Sequence, residues 1–388
     1  MTGPTLTLPR ADGSAERYRL SAPRQWSRPA GGFTSRVAFA AAHVVADPLA
    51  DNTPGAPARL DWDATLAFRR HLWAHGLGVA DAMDTAQRGM GLTWDTTAEL
   101  IRRSAAEAAA CGGVVASGAG TDHLPWPAGA ESLTLDDVLA AYEQQLTVVE
   151  DAGARPILMA SRHLTATARD ADDYATVYGR LLGQVRRPAI LHWLGPMFDP
   201  ALEGYWGSSD LDIATKTFLA LVREHAAAID GVKVSLLDED HEVALRAALP
   251  AGVRLYTGDD FNYPQLIASG SDALLGIFDA IAPAAATALA ALDRGDTQGY
   301  DEAFGPTVAL SRHLFSTPTY YYKTGICFLA WLAGHQGAFT MVGGLQSARS
   351  VPHLVEAFRL ADQAGLLPDP DLAASRMRQF LAVSGVSA

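Results

Sequence analysis

From about Arg36 to Pro283 short apolar runs alternate with longer amphipathic stretches. This rhythm predicts strand–helix units and a parallel sheet. Eight runs read as strands: residues 37–45, 78–83, 113–117, 155–160, 189–193, 231–236, 254–257 and 273–278. The helices between them have recognisable starts. Asp61 precedes residues 62–74, Thr93 precedes 99–110, and Ser209 precedes 212–225. Thr134-Leu135-Asp136-Asp137 resembles a capping box, and Leu135, Val138, Tyr142, Leu146 and Val149 then fall on one helical face. Eight such units are the count of an α/β fold of the (β/α)8 TIM-barrel type. A doubly wound sheet is the alternative, but it would not need eight regular units.

After Pro283 the strand pattern stops. Helical patterns follow at 284–293, 297–315, 319–333, 351–364 and 371–383. Before the first strand, Asp12-Gly13 between two extended runs signals a hairpin. The expected organisation is an N-terminal arm at 1–33 packed on a barrel at 34–295, then a C-terminal helical extension at 296–388. The extension would lie on the barrel or on a neighbouring subunit.

Composition adds limits. With 388 residues, 49% apolar and 19% charged, there is ample core material. A net charge of −13 argues against nucleic acid or an anionic membrane as the main partner. The apolar stretches are too short to span a bilayer, and no signal-peptide pattern begins the chain. A cytoplasmic protein is expected. Cys111 and Cys327 lack metal or redox spacing. No dinucleotide or phosphate-loop fingerprint occurs: Gly343-Gly344 lacks the strand–helix context.

Active sites of such barrels lie at the C-terminal ends of the strands. Polar residues there are His43, Asp81 or Asp84, Asp122 with His123, Arg162 with His163, His192, Lys233, Asp259 with Asp260, and Asp279. Lys233 stands out because its strand is otherwise apolar and β-branched. An idle buried cation is unfavourable, whereas burial readily yields a neutral amine able to attack a carbonyl. The competing account is a structural ion pair with Asp259 or Asp260. Two long loops, 118–132 with Trp126 and 195–208 with Trp206, could close over a pocket. Tyr320-Tyr321-Tyr322-Lys323 begins a C-terminal helix and reads as interface or core.

Gly231-Val232-Lys233-Val234-Ser235 resembles the Schiff-base strand of the dihydrodipicolinate synthase/N-acetylneuraminate lyase family. Leu255-Tyr256-Thr257-Gly258-Asp259-Asp260 resembles that family's next strand and turn, and residues 268–276 resemble its eighth strand. Leu92-Thr93 and Glu99 resemble the start of its second helix. The resemblance implies a class I aldolase fold with Lys233 as the imine-forming residue. The sequence also departs from the family. Asp84-Thr85-Ala86-Gln87-Arg88-Gly89 stands where a Gly-Thr-Thr-Gly-Glu carboxylate cradle is usual. His192 or Trp193 stands in place of the strand-five catalytic tyrosine, and Arg162-His163 in place of the tyrosine pair after strand four.

The favoured expectation is therefore a class I aldolase-type lyase or hydro-lyase acting on a small carbonyl compound, a 2-oxo acid or keto sugar derivative. Lys233 would form the imine, and His192 or His163 would move protons. Asp259 and Asp260 would hold the lysine or bind hydroxyls. Thr85 and Arg88, beside Asp84, would orient the polar end, with His123, Trp126 and Trp206 around the substrate. No metal or organic cofactor is needed, and the helical tail and family habit point to a homo-oligomer. The alternatives are a metal-dependent barrel enzyme using His43, His123, His163, His192 and the acids of strands two and seven, and a non-catalytic barrel that binds a small ligand.

Overall fold

The computed structural model describes residues 3–10, 12–29 and 31–386. Met1, Thr2, Ala11 and Ala30 of the expected arm, and Ser387 and Ala388 of the expected extension, lie outside the described residues. An antiparallel hairpin pairs β1 (Thr5–Pro9) with β2 (Ala15–Arg19). It packs on the C-terminal helices, not on the barrel. Leu6 and Leu8 are buried, Tyr18 Oη donates to Asp362 at 2.8 Å, and Arg359 and Arg378 donate to the Pro9 and Thr5 carbonyls.

Eight parallel strands then close a barrel: β3 (Ala38–Ala41), β4 (Gly78–Asp81), β5 (Val115–Ala119), β6 (Arg155–Leu158), β7 (Ala189–Leu194), β8 (Ile229–Ser235), β9 (Arg254–Thr257) and β10 (Asp272–Leu275). Closure is made by β10 against β3, with Ala273 opposite Ala38. The fold is a (β/α)8 TIM barrel with a helical C-terminal region. Alternate strand residues fill the interior, among them Phe39, Ile157, Ile190, Tyr256 and Leu274. Helices cover the outside, several with the starts read from sequence. Asp61 caps Trp62–Ala74, and Thr134 with Asp137 forms a full capping box on Leu135–Asp151. For Leu211–Glu224 the cap is Asp210, not Ser209.

The C-terminal helices do more than cover a side. The helix Tyr322–Leu332 is buried along all eleven residues. A helix apolar on every side must sit inside the protein. This one starts over the C-terminal ends of the strands, where its first residues meet the loop after β4.

Candidate active site

Lys233 lies on β8, opposite His192 on β7 and Tyr256 on β9. Tyr256 belongs to the inner cluster, so the register turns Lys233 into the barrel as well. The side chain is 5% exposed. Its Nζ has no hydrogen bond or ion pair among the described residues. Burial pushes its pKa down, and the nearby Asp84 and Asp260 carboxylates oppose that shift. At Gly258, just past β9, a Cβ would lie 2.9 Å from Lys233 Cε and 2.2 Å from Ser235 Oγ. The glycine is what lets β9 pass so close to the lysine.

His192 is buried, with Nε2 3.3 Å from Ser235 Oγ and no partner for Nδ1. Burial, then the charge of Lys233, drives its pKa well below the ordinary value, so the ring is neutral. The structural ion pair weighed for Lys233 does not form. Asp259 turns away and accepts from the backbone of Phe261 and Asn262 at 2.8 and 3.0 Å. Asp260 accepts from Ile277 N at 2.8 Å, and burial raises its pKa. Asp81 is tied to Arg69 on the outer face of the strand at 2.7 Å, with both side chains fully buried.

The mouth is completed by the helix Tyr322–Leu332. Tyr322 Oη donates to Asp84 Oδ2 at 2.8 Å and lies 2.6 Å from Thr85 Oγ1. Burial, then Asp84, raises the phenol pKa well above its ordinary value. Lys323 is 2% exposed, and the nearest partner of its Nζ is the thioether of Met90 at 3.2 Å. Burial lowers its pKa too. A cavity of about 80 Å³ opens beside it, lined by Asp84, Lys323, Ser161, Arg162, His163 and Asp199 among others but not by Lys233, His192 or Tyr322. The sequence alone reads Tyr322 and Lys323 as interface or core. The one available signal was a lysine in an otherwise apolar helix.

Other expected residues fall differently. Arg88 spends all its donors inside the protein: on Asp122, on Gln145, and on the carbonyls of Ala82 and Gly118. It is a tie between loops and has no donor left for a substrate. His123 bonds Gln145 at 2.8 Å and lies beside Trp94, off the cavity lining. His163 lines the cavity, with Nδ1 2.9 Å from Thr121 Oγ1 and Nε2 without a partner; burial lowers its pKa. Trp126 covers Arg162 and His163, with its ring 5.5 and 5.4 Å from them. Trp206, expected over the pocket, is 1% exposed and packed among Tyr174, Tyr178, Tyr205 and Phe218, so it is core. The four candidate metal-binding histidines do not converge: His43 is held by Asp279 and Gln336. Among the described residues no group of three or more His, Cys, Asp or Glu is arranged to hold a metal. No helix among them is long and apolar enough to cross a membrane.

A family model described as "Protein of unknown function (DUF993)" matches residues 6–386. No curated protein matches. Solved structures share the fold. One is YagE, a prophage protein belonging to the dihydrodipicolinic acid synthase family from E. coli K12, solved in complex with pyruvate. It is 13% identical with a TM-score of 0.66, over 85% of this chain and 99% of that one. A putative dihydrodipicolinate synthetase from Pseudomonas aeruginosa is 15% identical with a TM-score of 0.65, over 85% and 99%. Dihydrodipicolinate synthase from Bacteroides thetaiotaomicron is 13% identical with a TM-score of 0.64, over 84% and 99%. The resemblance drawn from the Lys233 strand and the strands after it thus extends, as a likeness of fold, over most of the chain.

Proposed function

The chain belongs to the DUF993 family, and from that premise we propose that it is a Schiff-base-forming lyase or hydro-lyase acting on a small 2-oxo acid or keto sugar derivative. The observation that carries this reading is the inward-facing, buried Lys233 amine, unpaired and with a lowered pKa. Such an amine is a nucleophile. It adds to the substrate carbonyl, and loss of water leaves a protonated imine. That imine accepts the electron pair of an adjacent C–C bond, or of a C–H bond when water is then expelled. Protonation of the resulting enamine and hydrolysis return the lysine.

Tyr322 takes the role of the family tyrosine that the strand-five sequence lacks. Its raised pKa keeps it protonated, the form of a general acid, and Thr85 and Asp84 hold it in line. His192, neutral and opposite Lys233, is the proton acceptor on the other side. Lys323 holds the anionic end of the substrate, since Arg88 has no free donor. The cavity of about 80 Å³ beside Lys323 holds a compound of a few heavy atoms, and Asp84, which lines it, is also the charge acting most strongly on Lys233. The metal-dependent alternative has no assembled ligand set among the described residues, and the binding-only alternative gives the unpaired Lys233 no purpose.

The test is borohydride trapping with a panel of 2-oxo acids, keto sugars and aldehydes, read by intact mass and peptide mapping. A substrate-sized adduct on Lys233, absent in Lys233→Met and still formed at higher substrate concentration by Lys323→Met, is expected. An adduct that maps to Lys323, or none with any compound, overturns the assignment.

A further inference from the structure

A second cavity lies outside the barrel mouth. It has a volume of about 490 Å³ and lies on the flank of the barrel. Its walls are the helix Trp62–Ala74, the end of Tyr322–Leu332, residues 23–28 of the arm, and the turn at 365–368. Small-molecule sites run to roughly 300–1,000 Å³. Trp26, Phe68, Leu329 and Leu367 make one side apolar.

The other side carries His71, His75 and His335. The rings of His71 and His335 are 4.2 Å apart, and those of His71 and His75 4.6 Å. His75 Nδ1 bonds the His71 carbonyl at 2.9 Å. The remaining ring nitrogens of the three have no hydrogen-bond partner among the described residues. Arg28 lines the same cavity with no ion-pair partner among them. Arg24 lies across the Trp26 ring at 4.2 Å and gives a bond to the Glu302 carbonyl. Asp279 is the single carboxylate of the lining, and His43 occupies it through both its ring and its backbone N–H. The wall thus has unanswered donors and two cations, with no free anion to match them.

We infer that this flank cavity binds a small organic anion: a carboxylate, phosphate or sulfonate on a flat apolar body. The apolar body would lie against Trp26 and Phe68. The anionic group would take Arg28 and the imidazole N–H donors. Burial, with the other histidines nearby, lowers the pKa of His71 to about 2 and of His335 to about 4. Both rings are therefore neutral donors, and the arginines supply the charge. Donors on a cavity wall that no protein group uses are free to hold an anion, and hydrogen bonds to an ionised acceptor are the stronger kind.

The site stands apart from the Lys233 chemistry, and so does its test. The probe is 8-anilinonaphthalene-1-sulfonate, titrated by fluorescence into the full chain with near-ultraviolet circular dichroism as the check on folding. Its neutral counterpart is N-phenyl-1-naphthylamine. One saturable site is expected, with the neutral probe at least tenfold weaker. Arg28→Ala should weaken the sulfonate about tenfold, and Ala330→Trp, which fills the cavity, should remove both probes. Competition by benzoate or by phenyl phosphate separates a carboxylate from a phosphate ligand. The inference is overturned if no saturable site is found, if both probes bind equally, or if Arg28→Ala binds the sulfonate unchanged. Arg28 is a rim residue, so this last arm holds even if Ala330→Trp does not fold.

Discussion

Replacing Arg88 by Met separates a substrate-binding arginine from a structural one. The guanidinium side chain is 2% exposed, and the Asp122 side chain it pairs with is 24% exposed. It also bonds Ala82 O at 3.0 Å, Gly118 O at 2.9 Å and Gln145 Oε1 at 2.6 Å. The loops after β4 and β5, strand β5 and the helix Leu135–Asp151 are therefore pinned together by one side chain. Breaking a buried pair by removing one partner costs about 3–5 kcal/mol. Asp122 keeps some water contact, and Gln145 keeps its bond from Gly120 N. The lower end applies, about 3 kcal/mol. Lysine in the same place recovers little, because a point charge cannot serve carboxylate and carbonyls at once.

The pH dependence gives a second signature. Burial alone would raise the Asp122 pKa, but the Arg88 charge and hydrogen bonds outweigh it and hold the carboxyl well below the usual carboxylate range. A lowered folded pKa contributes stability above the unfolded value and loses it as pH falls. The gap between wild type and Arg88→Met should therefore be full at pH 7 and narrow below about pH 4. Urea unfolding followed by tryptophan fluorescence reads both quantities. A loss under about 1 kcal/mol, with an increased KM for a keto substrate, would refute the structural role and return Arg88 to the substrate.

Three further outcomes follow from the site and its support. Tyr322→Phe should keep borohydride trapping at Lys233 while slowing turnover about 10²–10⁴-fold; unchanged turnover would move the proton-transfer role to His192. Gly258→Ala puts a methyl group 2.9 Å from Lys233 Cε, and should cost about 1–3 kcal/mol of stability and slow trapping. Trapping at the wild-type rate would mean that the β9 turn yields freely. Glu242, bonded by Thr257 and Ser271, has its pKa raised by burial to about 8 from 4.5. The native state then holds a proton that the unfolded chain releases, so stability is full below pH 4.5 and falls towards pH 8, by up to ~1.4 kcal/mol per pH unit. Glu242→Gln should flatten that slope in urea melts at pH 5 and pH 8, and an unchanged slope would count against it.

The barrel was legible because its strands are short apolar runs between helices with visible caps, and each of the eight runs contains or overlaps an observed strand. Lys233 was legible because a cation in such a run has few explanations. The partners were harder to read. Tyr322 and Lys323 sit in a helix buried on every side, and such a helix looks the same whether it fills a core or closes a mouth. Arg88 and Trp206 were misjudged for a common reason. Composition says that a guanidinium or an indole is near a loop, but only packing says that Asp122, Gln145 and two carbonyls consume the first and a cluster of aromatic rings the second. The hairpin was found, but what it packs on depends on chain order folding back, which no local pattern encodes.

The position of Tyr322 along the chain has a consequence for synthesis. It leaves the ribosome about ninety residues after Lys233. At about 5–20 residues per second that interval is on the order of ten seconds. Until then the barrel mouth is open to water, and a hydrated lysine stays charged and unreactive toward carbonyls. Under the proposed function, the nascent chain carries its nucleophile through translation in a protected form, and the last quarter of the polypeptide arms it.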